Sequence, residues 1–359
     1  MSKAAELAAL IGSQTALSNR NMIINGAMQV SQRGTSFTGF GAAVNYGIDR
    51  FANYHSSDGA FTISQETSVV PTDFTHALKI QTTTADASIA AGQRLIVFTR
   101  CEGNVVSQLN FGTSNAKTVT LSFYVRSSIT GTHGGALGNG SDNRNYPFTY
   151  TISSADTWEQ KTITIAGDQT GTWATGTGRS LQVVWGLGVG STYSGSAGAW
   201  AAGDINSATG ATTGVLGTLN ATWYLTGVQL EIGETATPFE HRSYGDELAR
   251  CWRYYEKRGQ PATATAWAYN EMSVVIANAT NYVQGDKYKV EKRADPTLAF
   301  YSRNGTSGKI SAFANGADVT GSWAQNAKGA TGFHAVVGPG SSVTQGNGYE
   351  YGYTADAEL

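Results

Sequence analysis

Charge is scarce in this chain. Of its 359 residues only 14% are Asp, Glu, Lys or Arg, where an ordinary soluble protein has about 25%. The net charge is −2, so no basic field draws in a phosphate backbone, and nucleic acid is not an expected partner. The two cysteines, Cys101 and Cys251, make neither a CxxC pair nor a metal-ligand spacing. They read as small apolar packing residues, and no metal or cofactor is expected. No run of about 18 apolar residues is present, so no membrane insertion is expected. The first apolar run, Ala8 to Ile11, is too short for a signal peptide, and Glu6 interrupts the stretch before it.

Catalytic signatures are missing as well. GxSxG, HExxH, the P-loop and the dinucleotide fingerprint do not occur, and His55, His76, His133, His241 and His334 are scattered. Folding could bring Glu231, Glu234 and Glu240 together as a glycoside-cleaving pair requires. Any chain with 26 acidic residues offers that reading, so no catalytic residue is assigned and no enzyme is expected.

What the chain does have is glycine, 44 residues where about 7% would give roughly 25, with much Ser, Thr, Asn and aromatic. Proline is held to six residues. Short strands joined by tight turns follow, and the fold class is all-β. Strand signals fall at Phe61–Gln65, His76–Thr82, Gln93–Thr99, Thr118–Ser127, Thr149–Ile152, Glu159–Ile165, Leu181–Leu187 and Ala221–Ile232. Val119, Leu121, Phe123 and Val125 alternate with polar neighbours, as in an antiparallel strand with one face on a core. Eight or nine such strands predict a jelly-roll β-sandwich over residues 21–240. Two long connections interrupt it, Ile129 to Tyr146 and Gly190 to Leu219, both rich in glycine.

The stretch from Thr222 to Arg258 organises the rest. Trp223 and Leu225 on one face, with Tyr224, Val228, Leu230 and Ile232 on the other, predict a strand buried on both sides. Thr237-Pro238 ends it. Ser243 and Asp246 resemble a capping box, and Tyr244, Leu248, Cys251, Trp252 and Tyr255 recur at helical spacing. A connecting α-helix is therefore expected over 241–258. Residues 259–359 form a smaller antiparallel β domain, with strand signals at Ala264–Tyr269, Met272–Ala277, Tyr288–Val290, Leu298–Tyr301, Gly332–Val337 and Tyr349–Ala355. At the other end, residues 1–20 favour a short helix with Leu7, Leu10 and Ile11 as its apolar residues. A helix that short is marginal alone in water, so it frays, bundles with copies of itself, or docks on a partner.

Carbohydrate binding is the best-motivated chemistry. Sugars are held by flat aromatic rings and by planar hydrogen-bonding side chains, and Trp173, Tyr193 and Trp200 lie in or beside glycine-rich loops. The bland alternative is that these rings fill the core or a subunit interface. Trp158, Trp185 and Trp223 fall within strand patterns and belong to the core.

Five stretches then carry a resemblance. NRNMIINGAMQVSQRGTSF (19–37), GIDRF (47–51), TVTLSFYVRSS (118–128), TWEQKTITIAGD (157–168) and TWYLTGVQLEIGETATPFEHRSYGDELARCWRYYEK (222–257) resemble fibre and appendage proteins of tailed bacteriophages. The closing segments YKVEKRADPTLAFYS and GYEYGYTADAEL look like the small end module of such proteins. The resemblance implies a jelly roll similar to carbohydrate-binding modules, followed by a small β module. It also implies a homotrimeric virion protein, made in the host cytoplasm, that binds other virion proteins through its N-terminus and a host-surface glycan through its β domains. It supplies no catalytic residue. A polysaccharide depolymerase and a purely structural adaptor or capsid decoration protein stay open as alternatives.

Overall fold

The computed structural model describes residues 19–259, 273–279, 282–320, 323–325, 327–338 and 343–359. Residues Leu7, Leu10 and Ile11, and the strand expected at Ala264–Tyr269, lie outside the described residues. The described chain is nearly all β and divides into two compact units, one reaching Glu247 and including Leu359, the other Leu248–Glu358.

The first unit begins with β1 (Ser36–Phe37), β2 (Asn45–Tyr46), β3 (Phe51–His55), β4 (Ala60–Glu66), β5 (Ala77–Thr84) and β6 (Arg94–Glu102). Next come β7 (Val119–Ser127), β8 (Gly131–Asn139), β9 (Arg144–Ile152), β10 (Glu159–Ile165) and β11 (Arg179–Val189). The short β12 (Ser194–Gly195), β13 (Ala201–Ala202) and β14 (Ser207–Ala208) lead to the long β15 (Thr222–Ile232). One sheet has the order β1-β4-β5-β15-β7-β10, the other β13-β9-β8-β11-β6-β3-β2. The two make an antiparallel jelly-roll sandwich, as the strand pattern predicts.

Its core follows from alternation. Val119, Leu121, Phe123 and Val125 of β7 meet Leu181, Val183, Trp185 and Leu187 of β11 from the opposite sheet, all fully buried. Trp185 packs edge-on to Phe123 at 5.7 Å between centroids, and Trp223 donates Nε1–H to Tyr150 Oη at 3.3 Å. A ring of this size removes ~150–250 Å² from water, on the order of 4–6 kcal/mol of gross transfer energy.

Three expectations are corrected. The face assignment in β15 fails because a bulge between Thr226 and Gln229, with Gly227 at φ 61°, resets the alternation. Trp223, Leu225, Val228 and Leu230 therefore share one core face. Second, the supposed connection from Ile129 to Tyr146 contains β8, an interior strand between β9 and β11. Third, the helix spans Tyr244–Trp252, shorter than 241–258, because Tyr255–Arg258 pairs as a strand with the chain's last strand. Tyr244, placed on its apolar face by spacing, is 56% exposed. The Ser243 cap forms, with the Asp246 N–H donating to Ser243 Oγ at 3.2 Å.

Within the first unit, the signature stretch 19–37 and the part of 222–257 that ends at Glu247 clasp each other. Asn21 Nδ2 donates to Val228 O at 3.0 Å, and Leu230 N donates to Asn21 Oδ1 at 3.1 Å. Glu240 accepts from the N–H groups of Asn19 and Asn21 at 2.6 and 2.7 Å. Gly26 lies so close to β15 that a Cβ there would sit 2.2 Å from Val228 O. The most recognisable sequence is thus architectural.

In the second unit β16 (Tyr255–Arg258), β17 (Ser273–Ala279), β18 (Tyr282–Lys287), β19 (Thr297–Tyr301) and β20 (Ser311–Ala312) are followed by β21 (Ala324–Gln325) and β22 (Lys328–Gly329). Then come β23 (Gly332–Val337) and β24 (Gly348–Asp356), and β24 pairs with β16, β17, β19 and β20. The strand expected at Tyr288–Val290 is not one, since β18 ends at Lys287. The core is aromatic, with Phe333 edge-on to Phe300 and Tyr353 at 5.4 and 5.3 Å. Buried within it is a polar knot. Glu256 accepts from Lys292 Nζ at 2.7 Å, from the Tyr353 hydroxyl at 2.9 Å and from Lys289 N at 3.0 Å.

Candidate functional site

The seven-stranded sheet has a core face and an outer face, and β6 shows how they differ. Leu95, Val97 and Cys101 point into the core, while Arg94, Ile96, Phe98 and Arg100 alternate onto the outer face. Ile96 and Phe98 are nonetheless buried, because Tyr46, Tyr54 and Val189 pack around them and the Arg100 guanidinium lies 4.4 Å from the centre of the Phe98 ring. Burial likewise pushes the Cys101 thiol up to about 12, so it stays protonated. Cys101 and Cys251 are both buried thiols outside any disulfide.

The long segment after β11 crosses this outer face, and glycines make room for it. A Cβ on Gly134 of β8 would come within 2.2 Å of Ser207 Oγ and 2.8 Å of Ala208 N, and one on Gly186 of β11 within 3.0 Å of Ser207 Cβ. Seated there, the segment pairs β12 with β14 and β13 with β9. It presents Asp204 and Asn206 to Arg94. Arg94 Nη1 donates to Asp204 Oδ2 at 2.6 Å and to Asn206 Oδ1 at 2.5 Å, and Asn206 Nδ2 donates to Asp204 Oδ1 at 2.8 Å. The same guanidinium is sandwiched between Tyr54, 4.8 Å away, and Tyr193, 3.9 Å away.

Between this wall and the β8–β9 turn lies a cleft of about 180 Å³. Its floor is Tyr54, Ile96, Phe98 and Gln182, and its far side is Asp142, which accepts from Gln182 Nε2 and Arg179 Nη2, both at 2.5 Å. Arg100 donates to the carbonyl of Leu359, which groups with the first unit. The Nε atoms of Arg94 and Arg100 are buried with no hydrogen-bond partner. The cleft thus offers apolar rings and fixed planar donors and acceptors. That set matches the C–H faces and hydroxyls of a saccharide.

The three rings singled out from sequence separate into two places. Tyr193 stands at the cleft's wall behind Arg94. Trp173 and Trp200 meet edge-on at 5.6 Å, with Phe111 at 4.8 and 5.8 Å, and pack against the main core. Trp200 Nε1 donates to Ala166 O at 2.7 Å, and Trp173 Nε1 to Asp168 Oδ2 at 3.2 Å. Asp168 in turn accepts from Arg144 Nη2 at 2.7 Å and, with both oxygens, from Arg144 Nε at 3.1 Å, which hold the Arg144 guanidinium above its ordinary range. Sequence reasoning missed Tyr54, Arg94, Phe98, Gln182 and Asp204. The usable signal was the alternate row Arg94, Ile96, Phe98, Arg100, two long cations flanking apolar residues on a face that should have been wet.

Of the three carboxylates weighed for cleavage, Glu231 and Glu240 are tied into structure and Glu234 is exposed. Glu231 is fully buried and accepts from Thr237 N and Gln229 Nε2, both at 2.9 Å. Burial raises the Glu240 carboxyl, but the backbone N–H groups of Asn21 and Asn19 outweigh it and hold it below the usual range. Among the described residues no group of three His, Cys, Asp or Glu side chains is placed to hold a metal, and no helix is long and apolar enough to cross a membrane.

No protein-family model matches the chain, and no curated protein matches it either. Solved structures do align. The enzymatically active domain of tailspike protein 4 from bacteriophage CBA120 is 7% identical with a TM-score of 0.31, over 60% of this chain but only 22% of the tailspike chain. A family 11 carbohydrate-binding module from Clostridium thermocellum, in complex with a mixed-linked tetrasaccharide, is 8% identical with a TM-score of 0.28. That alignment covers 56% of this chain and 98% of the module. A family 61 module in complex with β-1,4-galactotriose is 7% identical, TM-score 0.29, over 60% of this chain and 99% of its own. Likeness at this level concerns architecture, and what the cleft binds rests on its own side chains.

Proposed function

We propose that this chain is a non-enzymatic saccharide-binding protein of a tailed-phage particle that attaches the virion to glycans of the host surface. One observation carries the binding assignment: the outer-face cleft holds Tyr54, Arg94, Gln182, Asp204 and Asn206 in mutually fixed positions beside Ile96 and Phe98. The virion role is supported by the sequence resemblance at 19–37 and 222–257. On this reading the protein assembles as a homotrimer and docks to other virion proteins through Leu7, Leu10 and Ile11.

Titration calorimetry against soluble glucan, galactan and bacterial surface oligosaccharides tests the assignment. Arg94→Ala is expected to weaken binding about tenfold or more, since it removes charge-assisted bonds worth about 1.5–3 kcal/mol. The length of recovered oligosaccharide should be unchanged after incubation, because a binder leaves glycosidic bonds intact. Equal affinity for Arg94→Ala and the unaltered protein removes the cleft from consideration.

A further inference from the structure

A second concavity, about 140 Å³, shares no lining residue with the cleft. It is formed where the chain leaves β6. After a helical turn at Gly103–Val106 and a tighter one at Ser107–Leu109, Asn110 takes a left-handed conformation at φ 54°. That reversal sets Phe111 edge-on to Trp173 at 4.8 Å. Trp173 is itself anchored through Asp168 and Arg144. The ring is therefore fixed before any ligand arrives.

Val106, Leu109, Phe111 and Trp173 form its apolar wall, Asn110, Thr113 and Thr175 add polar uncharged groups, and no charged side chain is among the lining residues. Ser180 also lines the pocket, is 1% exposed, and its hydroxyl has no hydrogen-bond partner. An unpaired buried hydroxyl is unfavourable and is relieved by a guest carbonyl or hydroxyl. The lack of any cation argues against a carboxylate or phosphate guest. The space of four or five waters, at about 30 Å³ each, admits a small substituent with the edge of a ring.

We propose that this pocket receives the acetamido group of an N-acetylated sugar, its methyl against Leu109 and Trp173 and its carbonyl accepting from the Ser180 hydroxyl. The inference rests on the reading that the chain binds saccharide, and it adds a site selective for one substituent. Saturation-transfer NMR on the full chain, with N-acetylglucosamine and glucose as probes, tests it. The expected result is strongest saturation at the acetyl methyl protons and binding at least fivefold tighter than glucose. Ser180→Ala should weaken N-acetylglucosamine about fivefold, the loss of one hydrogen bond, with its Tm unchanged or raised. Arg94→Ala should leave the methyl signal intact. No methyl saturation at millimolar sugar, or a signal undiminished in Ser180→Ala, overturns the pocket. A signal lost only in Arg94→Ala also overturns it, while assigning the sugar to the cleft. Persistence of the methyl signal without any oligosaccharide bound at the cleft overturns the cleft reading alone.

Discussion

Lys292→Met is expected to destabilise the second unit by about 3–5 kcal/mol, because it strands a buried carboxylate. Lys292 and Glu256 are both fully buried as side chains and lie 2.7 Å apart. Lys292 Nζ also donates to Trp252 O at 2.6 Å and Val290 O at 3.1 Å, so all three ammonium protons have acceptors. Burial pulls the ammonium below its ordinary range, while the Glu256 carboxylate pulls it back up. Removing the cation leaves Glu256 facing the Tyr353 hydroxyl and the Lys289 N–H with its charge unbalanced. Lys292→Met combined with Glu256→Gln should recover at least half of the loss, since the uncharged amide keeps one oxygen for the Lys289 N–H and turns its NH2 to the Tyr353 hydroxyl, which can accept. Urea unfolding of the single and double variants reads the difference. Equal losses would show that packing around Lys292, and not charge, sets the effect.

Gly134→Val is expected to abolish oligosaccharide binding at the cleft and to cost about 1–3 kcal/mol of stability, the range for overpacking. The added side chain meets backbone, Ala208 N at 2.8 Å, as well as Ser207 Oγ and Ala211 Cβ. Ser207 and Ala208 are buried and belong to the same turn of chain as Asp204 and Asn206. The segment must lift, and Arg94 then loses both acceptors. Gly131→Ala makes the control for β8, since a Cβ there has open space, though its positive φ of 105° adds backbone strain. Calorimetric titration of both variants checks this: binding retained by Gly134→Val would mean that the segment's seat is irrelevant to the cleft.

Much of the sandwich was legible because burial writes itself as alternation. Glu159–Ile165 and Gly332–Val337 form strands at the residues that the pattern marks. β8 was illegible for a physical reason: Gly134, Gly135 and Gly138 leave space for other chain, Ser207 and Ala208 over Gly134 and Phe148 beside Gly135, and a missing side chain carries no periodicity. The bulge at Gly227 shifts parity within β15 without any change in residue type. The helix boundary failed because pairing of β16 with β24 joins residues a hundred apart in sequence, which no local spacing reports.

The site was less legible than the fold. Loop aromatics suggested saccharide chemistry, yet Trp173 and Trp200 lie together on the core, and Tyr193 stands behind the cleft residue Arg94. The cleft's polar residues come from β6, β11, the β8–β9 turn and the segment after β11, and their convergence is a product of sheet order. Sequence distance hides that convergence: Arg94 and Asp204 are 110 residues apart and 2.6 Å from each other.

Hydrogen–deuterium exchange of the full chain, with and without the tightest-binding oligosaccharide, tests the central assignment most directly. Slowed exchange confined to peptides covering Arg94–Arg100, Asp142 and Asp204–Ala208 is the result expected of a saccharide seated on the outer face of the seven-stranded sheet. Slowing confined to the second unit, or no change at saturating oligosaccharide, would contradict it.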